Sequence, residues 1–269
     1  MSGQFSTKSS EATAIGETPD TVDPRGLLKH LAPVKVPVPA GSTARRLPRY
    51  DEPSRRARLL PPGAGLLAGL LLFAATTYLV LGRGTGLLDW TVLTKVVGHR
   101  QDVLNGPMRY LTDVSQTPLL VGGVLVALWP AWRDRSWRPL VLVGATAVLA
   151  VAVATVAKHL ADRSRPPAKL WEVQEDGFCY PSRHTVIATA VLLALAYVFA
   201  VRTASRAARI LLWTGTAVLC VLAGASRVYL GVHWPTDVLA GLALGAAVPP
   251  LVVLLYVLVD TRRSRRLSR

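Results

Sequence analysis

Basic, hydroxyl and imidazole side chains recur in three short stretches of the 269-residue chain. The first runs from Lys158 to Arg165-Pro166, the second is Pro181-Ser182-Arg183-His184, and the third joins Ser226-Arg227 to His233 and Asp237. An arginine guanidinium is a planar donor fork that matches phosphate or carboxylate oxygens in pairs. Lys158, Arg165 and Arg227, brought together, would form an anion site. Beside it, His184 and His233 offer one nucleophile and one general acid. Asp237 follows His233 by four residues. If a helix begins at Pro235 or Thr236, that carboxylate reaches back to the imidazole, fixes its tautomer and leaves the other ring nitrogen free to attack. Ser182 stands where a helix N-cap is expected, so that its hydroxyl and the following backbone N–H groups face an anion.

The elements that must hold these residues are membrane helices. The chain is 51% hydrophobic and only 17% charged, where about a quarter is charged in an ordinary soluble protein. Its mean hydropathy is +0.36. Six segments, 59–82, 114–132, 137–157, 185–201, 208–225 and 236–259, approach the roughly 20 apolar residues needed to cross hydrocarbon. The second and fourth are short and are completed by tilt or, for the second, by interfacial Trp129 and Trp132. The expected fold is all-α: a polytopic six-helix membrane bundle over residues 59–260, preceded by a disordered basic tail, 1–58, and followed by a second basic tail, 261–269. The stretch 87–111 reads as an amphipathic interfacial helix, a packing collar broken at Asn105-Gly106-Pro107, with His99 and Arg100 either touching a ligand or on a solvated face.

The formal net charge of +15 has a topological explanation rather than a nucleic-acid one, because the arginines lie between apolar runs instead of on one soluble face. Arg133, Arg135 and Arg138, then Arg202, Arg206 and Arg209, then Arg262, Arg263, Arg265, Arg266 and Arg269 fall on the same side as the N-terminal tail. By the positive-inside rule that side is the cytoplasm, with both termini there and the three motifs on the outer face of the cell membrane. His159, Arg163 and Lys169 are expected in a solvated loop, and Trp171, Phe178, Tyr180 and Trp234 as anchors at the headgroup level. Cys179 lies in a polar loop and Cys220 in an apolar run, which predicts neither a disulfide nor a zinc site.

In order and spacing the three stretches resemble the signature of the type 2 phosphatidic acid phosphatase superfamily, which includes undecaprenyl diphosphate phosphatases and vanadium haloperoxidases. Lys158 through Arg165-Pro166 matches the first part, Pro181, Ser182 and His184 the second, and Ser226, Arg227, His233 and Asp237 the third. The resemblance implies a lipid phosphatase in which His233 attacks phosphorus to form a phosphohistidine, Asp237 orients it, and His184 protonates the leaving oxygen and later activates water. It also implies that Lys158, Arg165, Ser182, Arg227 and the backbone at Arg183 hold the phosphate oxygens, without metal or other cofactor. Arg183 departs from the pattern, which has Gly there. Its side chain must leave the pocket or add charge to it, and an added charge would favour a diphosphate.

Any one of these residues alone has an ordinary explanation, such as a lysine snorkelling at an interface. Three ordered segments at the outer ends of membrane helices do not. A non-catalytic membrane interaction relative predicts loss of a histidine or of Asp237, and all are present. A transporter predicts charged or broken helices near the midplane, whereas these apolar runs carry their ionisable residues at the ends. The membrane spans exclude a soluble haloperoxidase. The expected partner is a membrane lipid reaching the site sideways from the bilayer. An undecaprenyl-type isoprenoid diphosphate fits an outward site best, with phosphatidic acid, phosphatidylglycerophosphate and an isoprenyl phosphosugar as the alternatives.

Overall fold

The computed structural model describes residues 55–83 and 85–267, and the described residues form helices joined by loops. Helix α1 spans Arg55–Tyr78 and runs on through a π-helical turn at Leu79–Arg83. Then follow α2 (Gly86–Gly98), α3 (Asp102–Val114), α4 (Thr117–Arg133), α5 (Arg138–Ala161), α6 (Arg183–Ala200), α7 (Arg206–Tyr229) and α8 (Pro235–Leu267). The expected tail over 1–58 lies outside the described residues except for 55–58, which already belong to α1.

Five stretches are long and apolar enough to cross a membrane, namely Leu59–Gly82, Arg138–Ala161, Arg183–Ala200, Arg206–Tyr229 and Pro235–Asp260. The sixth crossing is a broken one, α3 and α4 meeting at a bend of 57°. The 17 residues of α4 reach only about 26 Å at 1.5 Å per residue, short of a hydrocarbon core about 30 Å thick. The end of α3 makes up the difference, so the second expected span begins in the outer amphipathic stretch rather than beside it.

That outer stretch does not break where its sequence suggests. The interruption falls at His99–Gln101, between α2 and α3, and Asn105-Gly106-Pro107 lies inside α3. Pro107 is in the second turn, where it deprives only the carbonyl of exposed Val103 of its donor. The turn itself is pinned from α7. The Tyr229 hydroxyl accepts from Gln101 N (3.1 Å) and lies 3.0 Å from both Gln101 O and Asn105 Oδ1. Arg100, for which ligand contact and a solvated face were the two expectations, does neither: it donates to the carbonyls of Tyr229 (2.6 Å) and Leu170 (2.7 Å) and pairs with Glu172.

The core lies between α5, α6 and α8, where Ala147, Ala150, Ala154, Ile187, Ala190 and Val248 are buried. Small residues let the backbones approach, as packing in lipid requires. A Cβ built on Gly241 of α8 would lie 2.8 Å from Thr185 Cβ and 3.0 Å from Ser182 O; one on Gly245 would lie 2.7 Å from Val186 O. These contacts seat the start of α6 on the start of α8 and so place the second motif against the third. The loops after α5 and α7 meet at this end of the bundle, while Arg202, beyond α6, pairs with Asp134, beyond α4, at the other (2.6 Å).

Gly241→Val is therefore expected to push the start of α6 away. It should cost about 1–3 kcal/mol in overpacking, read as a lower melting temperature in detergent together with loss of phosphate release. A melting temperature and activity equal to those of the unaltered protein would refute this account of the α6–α8 contact.

Candidate active site

His233 sits in the short turn between α7 and α8, closed by Gly231 at a φ of +77°. A side chain there would collide with Leu170 O at 2.1 Å, so this turn requires glycine. His233 is buried at 1% exposure, and Asp237, in the first turn of α8, is completely buried. His233 Nδ1 lies 3.2 Å from Asp237 Oδ2, while His233 Nε2 lies 3.3 Å from Arg165 Nη1. Arginine only donates and a carboxylate only accepts, so the two partners together place the proton on Nδ1 and the lone pair on Nε2. Burial, reinforced by the positive charges of Arg227, Arg165 and Lys158, holds the His233 imidazole well below its ordinary pKa. The ring is thus neutral, with the nitrogen that carries the free lone pair turned toward the cationic residues.

Arg227 is fully buried near the end of α7. Thr112 of α3 accepts from its Nη1 at 2.8 Å, and Thr112 also meets the Ser226 hydroxyl at 3.2 Å. The broken crossing thereby orients the guanidinium. Arg227 Nε has no hydrogen-bond partner among the described residues. Arg165 and Arg227 do converge, and what lies between them is the carboxylate of Glu175, bonded to Arg227 Nη2 and 3.2 Å from Arg165 Nη2. Burial opposes that charge, but Arg227 and Arg165 hold the Glu175 carboxyl below its usual pKa. Arg165 also grips the carbonyls of Asp176 and Gly177 at 3.0 Å, and Lys158 Nζ donates to Phe178 O at 2.6 Å. The three cations of the predicted anion site, Lys158, Arg165 and Arg227, are thus engaged by the segment Glu175–Phe178. Sequence reasoning missed this role, because Glu175 shares its loop with Asp162, Glu172 and Asp176 and nothing local singles it out.

Ser182 is the N-cap of α6, as expected, but its hydroxyl accepts from Thr185 Oγ1 (3.0 Å) and caps no backbone N–H. Its own N–H donates to Asp237 O at 3.1 Å, joining the second and third motifs through the main chain. His184 lies one residue into the helix and is buried. Arg183 is exposed and turns to Gln116 at the α3–α4 break. With the Gln116 amide assigned in the orientation that satisfies both its atoms, its oxygen accepts from Arg183 Nε (2.8 Å) and Nη2 (2.7 Å), and its nitrogen donates to His184 Nε2 at 3.2 Å. Gln116 was not foreseen, because it lies outside all three motifs.

Two loop expectations are overturned. Arg163 is no solvated residue: its side chain is 15% exposed and donates to Asp237 Oδ1 at 2.5 Å, because only an ion pair lets a carboxylate remain charged when completely buried. Tyr180 is no headgroup anchor either, being buried, stacked on Phe73 and bonded to Thr77 of α1 at 2.7 Å. Lys169 and His159 are exposed, as expected. Both cysteines are free and buried.

The model of the PAP2 superfamily matches residues 139–262, which contain all three motifs. The decaprenylphosphoryl-5-phosphoribose phosphatase of Mycobacterium tuberculosis is 34% identical over 142 residues, 49% of this chain and 70% of that protein. The chain belongs to the PAP2 superfamily. This PAP2 protein is also 29% identical to the undecaprenyl-diphosphatase of Sulfolobus acidocaldarius over 178 residues, 58% of the present chain and 81% of the relative. Among solved structures, it superposes on a transmembrane PAP2-type phosphatidylglycerolphosphate phosphatase from Bacillus subtilis with a TM-score of 0.60 and 27% identity, covering 75% of this chain and 96% of that one. The present protein is a multi-pass membrane lipid phosphatase of the PAP2 type.

Because Glu175 occupies the space between the two arginines, an anion must displace it. Glu175→Gln is expected to tighten binding of inorganic phosphate by about tenfold, the size of one charge-assisted hydrogen bond, as measured by calorimetry. Unchanged or weaker binding would show that Glu175 does not compete for the site.

Proposed function

We propose that this protein releases phosphate from a polyprenyl diphosphate of the undecaprenyl type, through a phosphohistidine on His233. The observation that carries this reading is the His233 ring, with Nδ1 facing Asp237 and Nε2 facing Arg165 beside the Arg227 guanidinium. In the first step the Nε2 lone pair forms a bond to the terminal phosphorus while the bond from phosphorus to the bridging oxygen breaks. His184, once it has taken up a second proton beside the anionic oxygens of the bound substrate, gives that proton to the departing lipid phosphate. In the second step His184 removes a proton from water, whose oxygen attacks the same phosphorus and frees His233. Arg165, Arg227 and Lys158, released from Glu175–Phe178, meet the oxygens on which charge accumulates, and Arg227 Nε is a donor still unused. Cationic donors gathered around a transferring phosphoryl group in a site shielded from water are the main source of its stabilisation. Ser182 and the backbone N–H groups at the start of α6 add the positive end of a helix. The mechanism calls for no metal or cofactor.

Two features support a lipid carrier. An apolar groove of about 310 Å³ runs between α3, α4, α6 and α7, lined by Leu111, Val114, Leu119, Leu192 and Leu219. Its wall includes Ala188, one turn below His184, and Ala223, one turn below Arg227, so it leads from the charged site along the hydrocarbon. A chain lying there would present its phosphate end to the arginines. The polyprenyl class is favoured because the relatives from Sulfolobus and Mycobacterium are both named for polyprenyl lipids. The Mycobacterium relative, named for a phosphoribosyl lipid, supports a polyprenyl phosphosugar as the second reading. The arginine-rich ends, joined by Arg202 and Asp134, face the cytoplasm in this proposal, and the site faces outward.

Detergent-purified protein with EDTA present should release phosphate from undecaprenyl diphosphate faster than from phosphatidic acid or phosphatidylglycerophosphate, and His233→Ala should lower that release by at least about a thousandfold. Retained turnover in His233→Ala would refute the nucleophile; preference for another lipid would refute the substrate. A cysteine placed at Asp176 should react with an impermeant thiol reagent from outside intact cells. Reaction only after permeabilisation would reverse the topology.

A further inference from the structure

Asp237 uses only one of its oxygens on the nucleophile. Oδ2 receives His233 Nδ1 and the Trp234 N–H (2.9 Å), whereas Oδ1 receives Arg163 Nη1 at 2.5 Å. The second arm of the same guanidinium, Nη2, lies 2.6 Å from Asp89 Oδ2. Asp89 belongs to α2, the helix expected to serve only as a collar, and it is completely buried. It accepts from Thr236 N (3.0 Å), Thr236 Oγ1 (2.7 Å) and Thr85 Oγ1 (2.5 Å) besides Arg163. The Arg163 guanidinium further contacts Thr236 Oγ1 at 2.8 Å and lies over the Trp234 ring at 5.7 Å from its centroid.

We infer that Arg163 and Asp89 are positioning residues for the reaction: Asp89 anchors Arg163, and Arg163 fixes the rotamer in which Asp237 presents Oδ2 to His233. The inference rests on His233 being the nucleophile. Two physical arguments support it. A guanidinium is rigid and planar, so engaging one carboxylate on each arm leaves Asp237 a single orientation. The charges also point to the reaction. Asp89, Arg163 and Asp237 together carry one net negative charge in a buried setting. Bonding of phosphorus to Nε2 while Nδ1 keeps its proton places one positive charge on the imidazole, and the cluster becomes neutral. Such an arrangement favours the covalent intermediate over the resting ring, which is how preorganised charge accelerates a step. The burial of Arg163 opposes its charge, yet Asp237 and Asp89 hold its pKa above the ordinary arginine value, so the guanidinium stays charged.

The test compares Arg163→Gln, Arg163→Lys and Asp89→Asn with the unaltered protein and His233→Ala, on the lipid panel described above. Arg163→Gln is expected to lower kcat by about 100-fold, the low end of what removing a preorganised electrostatic partner costs, and Asp89→Asn, one contact further from the ring, by about tenfold, below that range, with KM within about threefold. Arg163→Lys, which conserves the charge, should recover part of the loss. Two ligands separate positioning from collapse of the site. Inorganic phosphate needs only the cationic residues and should inhibit all three variants as it does the unaltered protein. Vanadate takes a fifth ligand from His233 Nε2 and so mimics the transition state. Its affinity should fall in step with kcat. Undiminished kcat in Arg163→Gln, or loss of phosphate and vanadate binding together, would overturn the inference and leave the nucleophile intact. Absence of turnover in the unaltered protein across the panel, or full turnover in His233→Ala, would instead overturn the proposed function and this inference with it.

Discussion

Charge buried at the edge of a membrane must be paired, and the site of this PAP2 protein is organised by that requirement. An uncompensated ion in a low-dielectric setting costs several kcal/mol. Arg227 and Asp237, both completely buried, would each be untenable alone. The structure meets the difficulty with two separate clusters. Glu175 balances Arg165 and Arg227 on the phosphate side of His233, and Arg163 balances Asp237 and Asp89 on the other. The imidazole stands between them, neutral and itself almost completely buried. One face of the ring thus looks onto a cluster with one cation in excess, and the other onto a cluster with one anion in excess.

This arrangement explains why elements outside the family match still belong to the site. The match begins at residue 139, yet α2 contributes Asp89, α3 contributes Thr112 to hold Arg227, and the α3–α4 break contributes Gln116 beside His184. The outer amphipathic stretch is therefore more than a collar. Its two halves approach the site from different sides, and the turn between them is tied by Tyr229, only four residues from His233. A straight interfacial helix would not reach both faces.

The sequence was most legible where chemistry and periodicity agreed. Five long apolar runs became five helices, and His233, Asp237, Arg165 and Arg227 came together because their spacing ties them to helix ends. What was obscured depended on contacts between distant residues. Arg163 read as a loop cation because nothing nearby in sequence reveals that its partners are 74 residues away on either side. The break in the outer stretch was assigned to Asn105-Gly106-Pro107 by local propensity, and the actual turn was set by a tyrosine hydroxyl from another helix. Tyr180 carries the same lesson: an aromatic residue in a loop near a membrane end suggests an anchor, while its stacking on Phe73 makes it part of the core. Local pattern finds elements and motif ends; long-range pairing decides which polar residues face inward.

The Ser182 N–H to Asp237 carbonyl bond links the two histidine-bearing segments through backbone atoms alone. Provided Gly241 and Gly245 keep the helices close, their mutual register therefore does not depend on the polar side chains those segments carry. A lineage could exchange the groups around the phosphate, alter the acid or enlarge the pocket without losing the alignment of the start of α6 with the start of α8. Arg183 in place of glycine is such an exchange, absorbed by Gln116 without displacing the helix that bears it. Chemical variety in this architecture is carried by side chains on a frame that the peptide groups keep fixed.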